Sequence, residues 1–308
     1  MDRFGPFWDL FPYTLPYFIF LILVLILVIF KYYIKEKIIA NILIIILFVI
    51  FGGLKKPFTS DLENYCGMYH YIKDQIPVFV EPFYIFSSKI LSKIFSDCIA
   101  IFIWYEFLFV FLMILIIDKV YKKLLLSQII AWTIVICTPF LFLNSFGVEI
   151  RQVLSIALLL YGFTFLHFEG SVKKFLFFAI LASSSHFSSI FVSLLILTIY
   201  FLIGRIEEKN MNIAIIMVMI LYFFVLIIPS TVFINIVSSF INAFSFISFV
   251  TKYSAYLESL EPLPIIKILI YTFMSILAVL ISIKVKDYSF KRLVLLFFLG
   301  NFVLIIFK

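Results

Sequence analysis

The sequence predicts an all-α protein, a polytopic transmembrane helical bundle of about 9–11 membrane segments with one long outer segment. Composition, hydropathy and the spacing of the charges predict it. Of 308 residues, 65% are hydrophobic and 13% charged, whereas a soluble domain is about 25% charged. Mean hydropathy is +1.22, and a soluble globule of this size would still need a polar skin. Long apolar runs alternate with short lysine-rich breaks, the pattern of stacked spans.

The first span runs from about Tyr13 to Tyr33, closed by Lys31, Lys35 and Lys37, and the second from about Ile38 to Phe51. Asp2, Arg3 and Asp9, with no small-residue cleavage site, argue against a cleavable signal at the start. The polar segment 52–97 follows. Within it Phe83, Phe86, Ile90, Leu91, Ile94 and Phe95 repeat at helical spacing opposite Lys89, Ser92, Lys93 and Ser96, so an amphipathic helix lying on the membrane is predicted over 83–97. Further spans are about Cys98–Ile117, Leu124–Asn144 and Val153–Phe168. The apolar stretch Phe175–Ile203 is either one tilted helix or a hairpin turning at Ser183–His186. Spans at about Met211–Ile228, Ile265–Ile283 and Leu293–Phe307 complete the set, and 231–250 is apolar but rich in Ser and Asn. No Pro/Gly-rich linker interrupts the chain, so 1–308 reads as a single integral membrane domain.

Net charge is +7, and most of the excess lies in short loops, as the positive-inside rule expects. With 31–37 in the cytoplasm, counting crossings puts 118–123, 169–174 and 284–292 on the same side. The segments 52–97, 145–152 and 251–264 then face outside and hold most of the acidic residues. The basic charge therefore implies no nucleic-acid partner. The three cysteines, Cys66, Cys98 and Cys137, have no metal spacing, and from their odd number no disulfide framework is expected.

Ionisable residues at membrane depth are costly and need a reason. Arg151, just after the fourth span, suits a phosphate or diphosphate through its planar fork; the plainer reading is an interfacial anchor paired with Glu149. His186 lies in an apolar run among Ser183, Ser184, Ser185 and Ser188. It suits a general base, a proton relay or a phosphate donor, or else a hydrogen bond between packed helices. Asp61, Glu63 and Glu81 are outer carboxylates that either activate a hydroxyl or are simply solvated. Glu106, deep in the third span, needs a partner or a proton. His70 and His167 sit in polar or terminal positions and read as structural. Tyr65, Tyr84, Tyr253 and Tyr256 are aromatic candidates for stacking on sugar rings. There is no Walker-type loop, no G-x-G-x-x-G, no D-x-D and no H-E-x-x-H, so neither a soluble nucleotide nor a bound metal or other cofactor is expected.

The order of these residues resembles that of the EpsG/Wzy-like family of bacterial polysaccharide polymerases, over about Phe51 to Tyr256. Gly53-Leu54-Lys55, then Asp61 and Tyr65, resembles a Gly-x-Arg, Asp and Tyr pattern before the outer loop. Glu81-Pro82-Phe83-Tyr84 resembles a Glu-containing motif, and Ile150-Arg151-Gln152 an arginine motif. Ala182 to Ser189 resembles an alanine-to-histidine-serine motif, and Lys252 to Tyr256 a late Lys/Tyr element. Two departures stand out: Lys55 replaces the usual arginine, and Thr59-Ser60 stands where a glycine usually precedes the aspartate.

The resemblance implies a glycosyltransferase that joins undecaprenyl-diphosphate-linked repeat units at the outer face of a bacterial cytoplasmic membrane, for capsule, exopolysaccharide or O-antigen. It implies Arg151 as the diphosphate cation, with Lys55 or His186 assisting, and Asp61 or Glu81 as the base. Tyr65, Tyr84, Gln152, Lys252 and Tyr256 are the implied substrate-binding residues. The implied partners are the lipid-linked oligosaccharide, membrane lipid and assembly proteins such as a chain-length regulator. The alternatives are another lipid-linked glycosyltransferase or O-antigen ligase, or a transporter of lipid-linked sugars, which would tend to show internal repeats.

Overall fold

The computed structural model describes residues 19–20, 22–31, 37–53, 60–78, 80–124, 150–205 and 207–227, with isolated positions between 272 and 291. The described residues form helices and no strand. In chain order these are α1 (Ile22–Lys31), α2 (Lys37–Gly53), α3 (Ser60–Lys73), α4 (Pro82–Leu91), α5 (Ile99–Leu124), α6 (Ile150–Glu169), α7 (Val172–Ser185), α8 (Ser189–Gly204) and, after a 3₁₀ turn, α9 (Met211–Ile227). The chain divides into two compact units, 1–193 and 194–308.

Among the described residues, two helices are long and apolar enough to cross a membrane: α5 over Ile99–Lys122 and α6 over its whole length. Large apolar side chains also point outward from the other helices. Ile38 is 70% exposed and Ile180 69%. A surface of that kind is stable against lipid rather than water.

In the first unit α2 packs on α5, α5 on α6 and α6 on α7, while α4 lies against α3, α5 and α7. The α6–α7 contact is close because Gly162 carries no side chain: a Cβ there would meet the Phe178 Cβ at 2.8 Å. Gly170 (φ 64°) makes the turn between the two helices, a left-handed conformation that costs glycine nothing. The turn is tight, so the start of α6 and the end of α7 finish on one side. In the second unit Ile199, Ile203, Met211, Ile215 and Val279 form an apolar cluster.

The basic breaks meet at one end of the first unit, as the charge pattern predicts. Lys31 Nζ lies 2.9 Å from Asp118, and Lys119 and Lys174 each reach Glu169 at 2.7 Å. The start of α5 lies on the opposite side, about 30 Å away at 1.5 Å per residue.

Two expectations change, and one left open is decided. Helix α3 was not expected, because its sequence is polar and shows no apolar stripe. It is held through buried Tyr65, Tyr69 and Ile72. The helix predicted over 83–97 stops at Leu91, because the next residues have other partners. Ser92 and Lys93 turn back on Ser88 and Ile90, the Phe95 carbonyl accepts from Tyr69 Oη at 2.9 Å, and the Asp97 carboxylate caps α5 through Ile99 N–H at 2.9 Å. Phe86, Ile90, Ile94 and Phe95 of its apolar face are exposed. Phe175–Ile203, left open between one helix and a hairpin, is broken: α7 ends at Ser185 and α8 begins at Ser189.

The cysteines also correct the sequence reading. Cys66 of α3 and Cys98 at the start of α5 form a disulfide, with Cα atoms 5.1 Å apart. The odd total concealed it: Cys137 lies in an apolar run, which leaves an even pair in and beside the outer segment.

Candidate functional site

Three residues from separate parts of the sequence meet in the first unit. Glu81 precedes α4 as its N-cap, with Pro82 opening the helix. Proline suits that place because its missing N–H would have had no partner in the helix. Glutamate is a poor cap, and its carboxylate makes no capping bond. It reaches outward instead, pairing through Oε2 with Arg151 Nη1 and through Oε1 with His186 Nδ1 at 3.1 Å. The Glu81 side chain is 8% exposed, while Arg151 is 22% and His186 26% exposed. The carboxylate thus lies at the bottom, with a cation and an imidazole open above it.

Arg151 stands in the first turn of α6 on an aromatic bed. Its Nε donates to Tyr65 Oη at 3.4 Å, and its guanidinium lies 5.2 Å from the Tyr65 ring and 5.9 Å from the Tyr84 ring. Tyr84 is fully buried and donates its hydroxyl to the Tyr65 carbonyl at 2.8 Å, fixing α4 to α3. Tyr105 of α5, also buried, lies 6.1 Å from Tyr84. Such a bed holds the guanidinium by cation–π attraction and leaves part of its fork to accept an anion.

His186 is placed by the way α7 ends. The hydroxyls of Ser183, Ser184 and Ser185 donate back to the carbonyls of Ala179 and Leu181. Serines in this arrangement compete with the helix's own ladder. His186 follows in an extended conformation (φ −157°, ψ 119°), its N–H still on the Ala182 carbonyl. The ring is therefore directed at Glu81 rather than along the helix.

Burial raises the Glu81 pKa, but the His186 hydrogen bond and the Arg151 charge outweigh it, and the carboxyl sits below its ordinary value. It is ionised at neutral pH. The stability it contributes is complete above the ordinary carboxylate pKa and is lost only as the pH falls through the lower folded value. Burial also raises the Tyr84 hydroxyl well above its usual range.

Arg151, Glu81, His186 and Tyr65, read from the sequence as candidates, thus share one cluster. Tyr65 and Tyr84 are corrected in role: both are buried, so they support Arg151 from below and present no ring to a sugar. Gln152 is half-buried on α6, about 100° round the helix from Arg151. Asp61 falls in the first turn of α3, one turn before Tyr65. Lys55, Lys252 and Tyr256 lie outside the described residues. Glu106 is buried between α5 and α6, beside Ile150 and Val153. His70 is exposed, and His167 packs on Phe163 and Phe168. Tyr105 and the cysteine pair were missed. The pair could have been found by setting Cys137 aside; Tyr105 gave no signal among so many aromatics.

The EpsG family model matches residues 37–308. The chain belongs to the EpsG family. No curated protein and no solved structure matches it. Membership of the EpsG family makes this a membrane protein of polysaccharide synthesis, in a family associated with glycosyltransferase-like activity.

Proposed function

We propose that this EpsG-family protein is a multi-pass polymerase of the bacterial cytoplasmic membrane. It joins lipid-linked repeat units at the outer face, as the order of the five motifs and the family both favour. The observation that carries this reading is the Glu81–Arg151–His186 cluster, an arginine fork and an imidazole around one buried carboxylate. A hydroxyl of one lipid-linked repeat attacks the anomeric carbon of the growing chain on undecaprenyl diphosphate. The new C–O bond forms as the bond to the diphosphate breaks, and the hydroxyl proton passes to a base. The diphosphate is a good leaving group, so the protein mainly positions two substrates and neutralises developing charge.

In this reading Arg151 takes the diphosphate. The sequence favoured Asp61 or Glu81 as base, but a carboxylate with a lowered pKa, already holding two partners, is a weak one. His186 is assigned the proton instead. Its Nδ1 faces Glu81 and so leaves Nε2 for the acceptor hydroxyl, the arrangement in which a carboxylate fixes an imidazole's tautomer and direction. Glu81 is then a positioning residue.

The disulfide supports the outward orientation of this end, because such bonds persist in oxidising compartments. Cysteines introduced at Lys73 and Ser259 should react with an impermeant maleimide on intact cells, and one at exposed Lys122 only after permeabilisation. The reverse pattern would invert the topology. Function is tested by deletion in the native host with the surface glycan run on a gel. Single repeats capped onto the acceptor are expected, whereas near-absence of glycan indicates transport.

A further inference from the structure

Apart from the Arg151 cluster, the first unit has an open cleft of about 720 Å³ between the end of α3 and one side of α4. Its floor is aliphatic, formed by Ile72, Ile76, Val78 and Ile85, and three lysines line it: Lys73, Lys89 and Lys93. All three are exposed. Lys31, Lys119 and Lys174 at the far end each meet Asp118 or Glu169. Among the described residues no carboxylate pairs with any lysine of the cleft. Three uncompensated ammonium groups over an apolar floor create a local positive potential that attracts an anion.

Backbone strain marks the same place. Gln75, which also lines the cleft, has φ 59°. It closes α3 with the Gln75 N–H on the Ile72 carbonyl and the Ile76 N–H on the Tyr71 carbonyl. Glycine usually fills that position, because a side chain there is strained. A strained residue at the rim of a cleft is consistent with a shape kept for a ligand.

The surroundings identify the ligand's class. Phe86 and Ile94 are 63% and 70% exposed, and Ile90 and Phe95 are also exposed. They alternate in sequence with Lys89 and Lys93, whose stems can lie along lipid while their ammonium groups reach the headgroups. Among the described residues, no aromatic ring lines the cleft. We infer that this cleft binds the phosphate headgroup of an anionic membrane lipid, with the lipid's aliphatic part on the isoleucine floor. That chemistry stands whether or not Arg151 holds a diphosphate. It can be supplied by a bilayer phospholipid or by a polyprenyl phosphate carrier.

The test is native mass spectrometry of the full chain released from neutral detergent. The probes are phosphatidylglycerol, undecaprenyl phosphate and net-neutral phosphatidylcholine. The wild type should hold both anionic lipids at least tenfold more tightly than phosphatidylcholine. The combined variant Lys73→Gln, Lys89→Gln, Lys93→Gln should lose that preference at least tenfold while its Cys66–Cys98 bond still forms. The corresponding triple arginine variant should keep it. A tighter hold on undecaprenyl phosphate than on phosphatidylglycerol assigns the cleft to the carrier, and an equal hold assigns it to bulk lipid. Equal binding of phosphatidylcholine, or unchanged binding by the glutamine variant, overturns the inference.

Discussion

Arg151→Lys is expected to abolish long-chain glycan, with the rate falling about a hundredfold or more, the usual effect of removing one donor from a developing oxyanion. Lysine keeps the positive charge beside Glu81, so the buried carboxylate retains a counterion and the chain should still insert. It loses the planar fork needed to meet a diphosphate with two parallel bonds. The Nε bond to Tyr65 is lost as well. Arg151→Ala should be equally inactive and less stable, because removing one partner of a buried ion pair costs about 3–5 kcal/mol. Polymer length on a gel, read with protein level and formation of the Cys66–Cys98 bond, separates the two effects. Normal chain lengths in the lysine variant would reduce Arg151 to an anchor for Glu81.

His186→Gln separates proton transfer from packing. Glutamine keeps a donor and an acceptor near Glu81, so protein level should stay normal. It cannot titrate, so as a replacement for a general base it should lower the rate about a hundredfold or more. If His186 served only to hold the end of α7 to α4, the lost bond would amount to about 0.6 kcal/mol, the average for polar contacts between membrane helices, and activity would survive. Initial rates with a lipid-linked repeat decide between them, and wild-type rates in the glutamine variant would remove His186 from the site.

Both residues stood out in the sequence as candidates because an imidazole in an apolar run and an arginine at the end of a span are costly and need a reason. The lysine breaks were equally legible, and Lys31, Lys119 and Lys174 do gather at one end with Asp118 and Glu169. What escaped depends on contacts between distant residues. Helix α3 has no apolar stripe to announce it and is defined by a disulfide and two buried tyrosines. The length of α4 was overestimated because periodicity continues through Phe95, although the residues from Ser92 to Asp97 are used for a turn and a cap. Tyr84 looked like a sugar platform because an aromatic in an outer segment is usually exposed, but its hydroxyl has a buried partner in the Tyr65 carbonyl. The partners of Glu81 could not be read from the sequence either, since only the fold brings Arg151 and His186 to a single carboxylate.

The central claim, that the Glu81–Arg151–His186 cluster carries out glycosyl transfer, is tested most directly by reconstituting the purified full chain in liposomes with one defined undecaprenyl-diphosphate-linked repeat. Product length and released undecaprenyl diphosphate are then followed together. The wild type should build a ladder of products and release one undecaprenyl diphosphate for each repeat joined, and the Arg151→Lys protein should do neither. Repeats carried across the bilayer without being joined, or a ladder that forms equally well with Arg151→Lys, would contradict it.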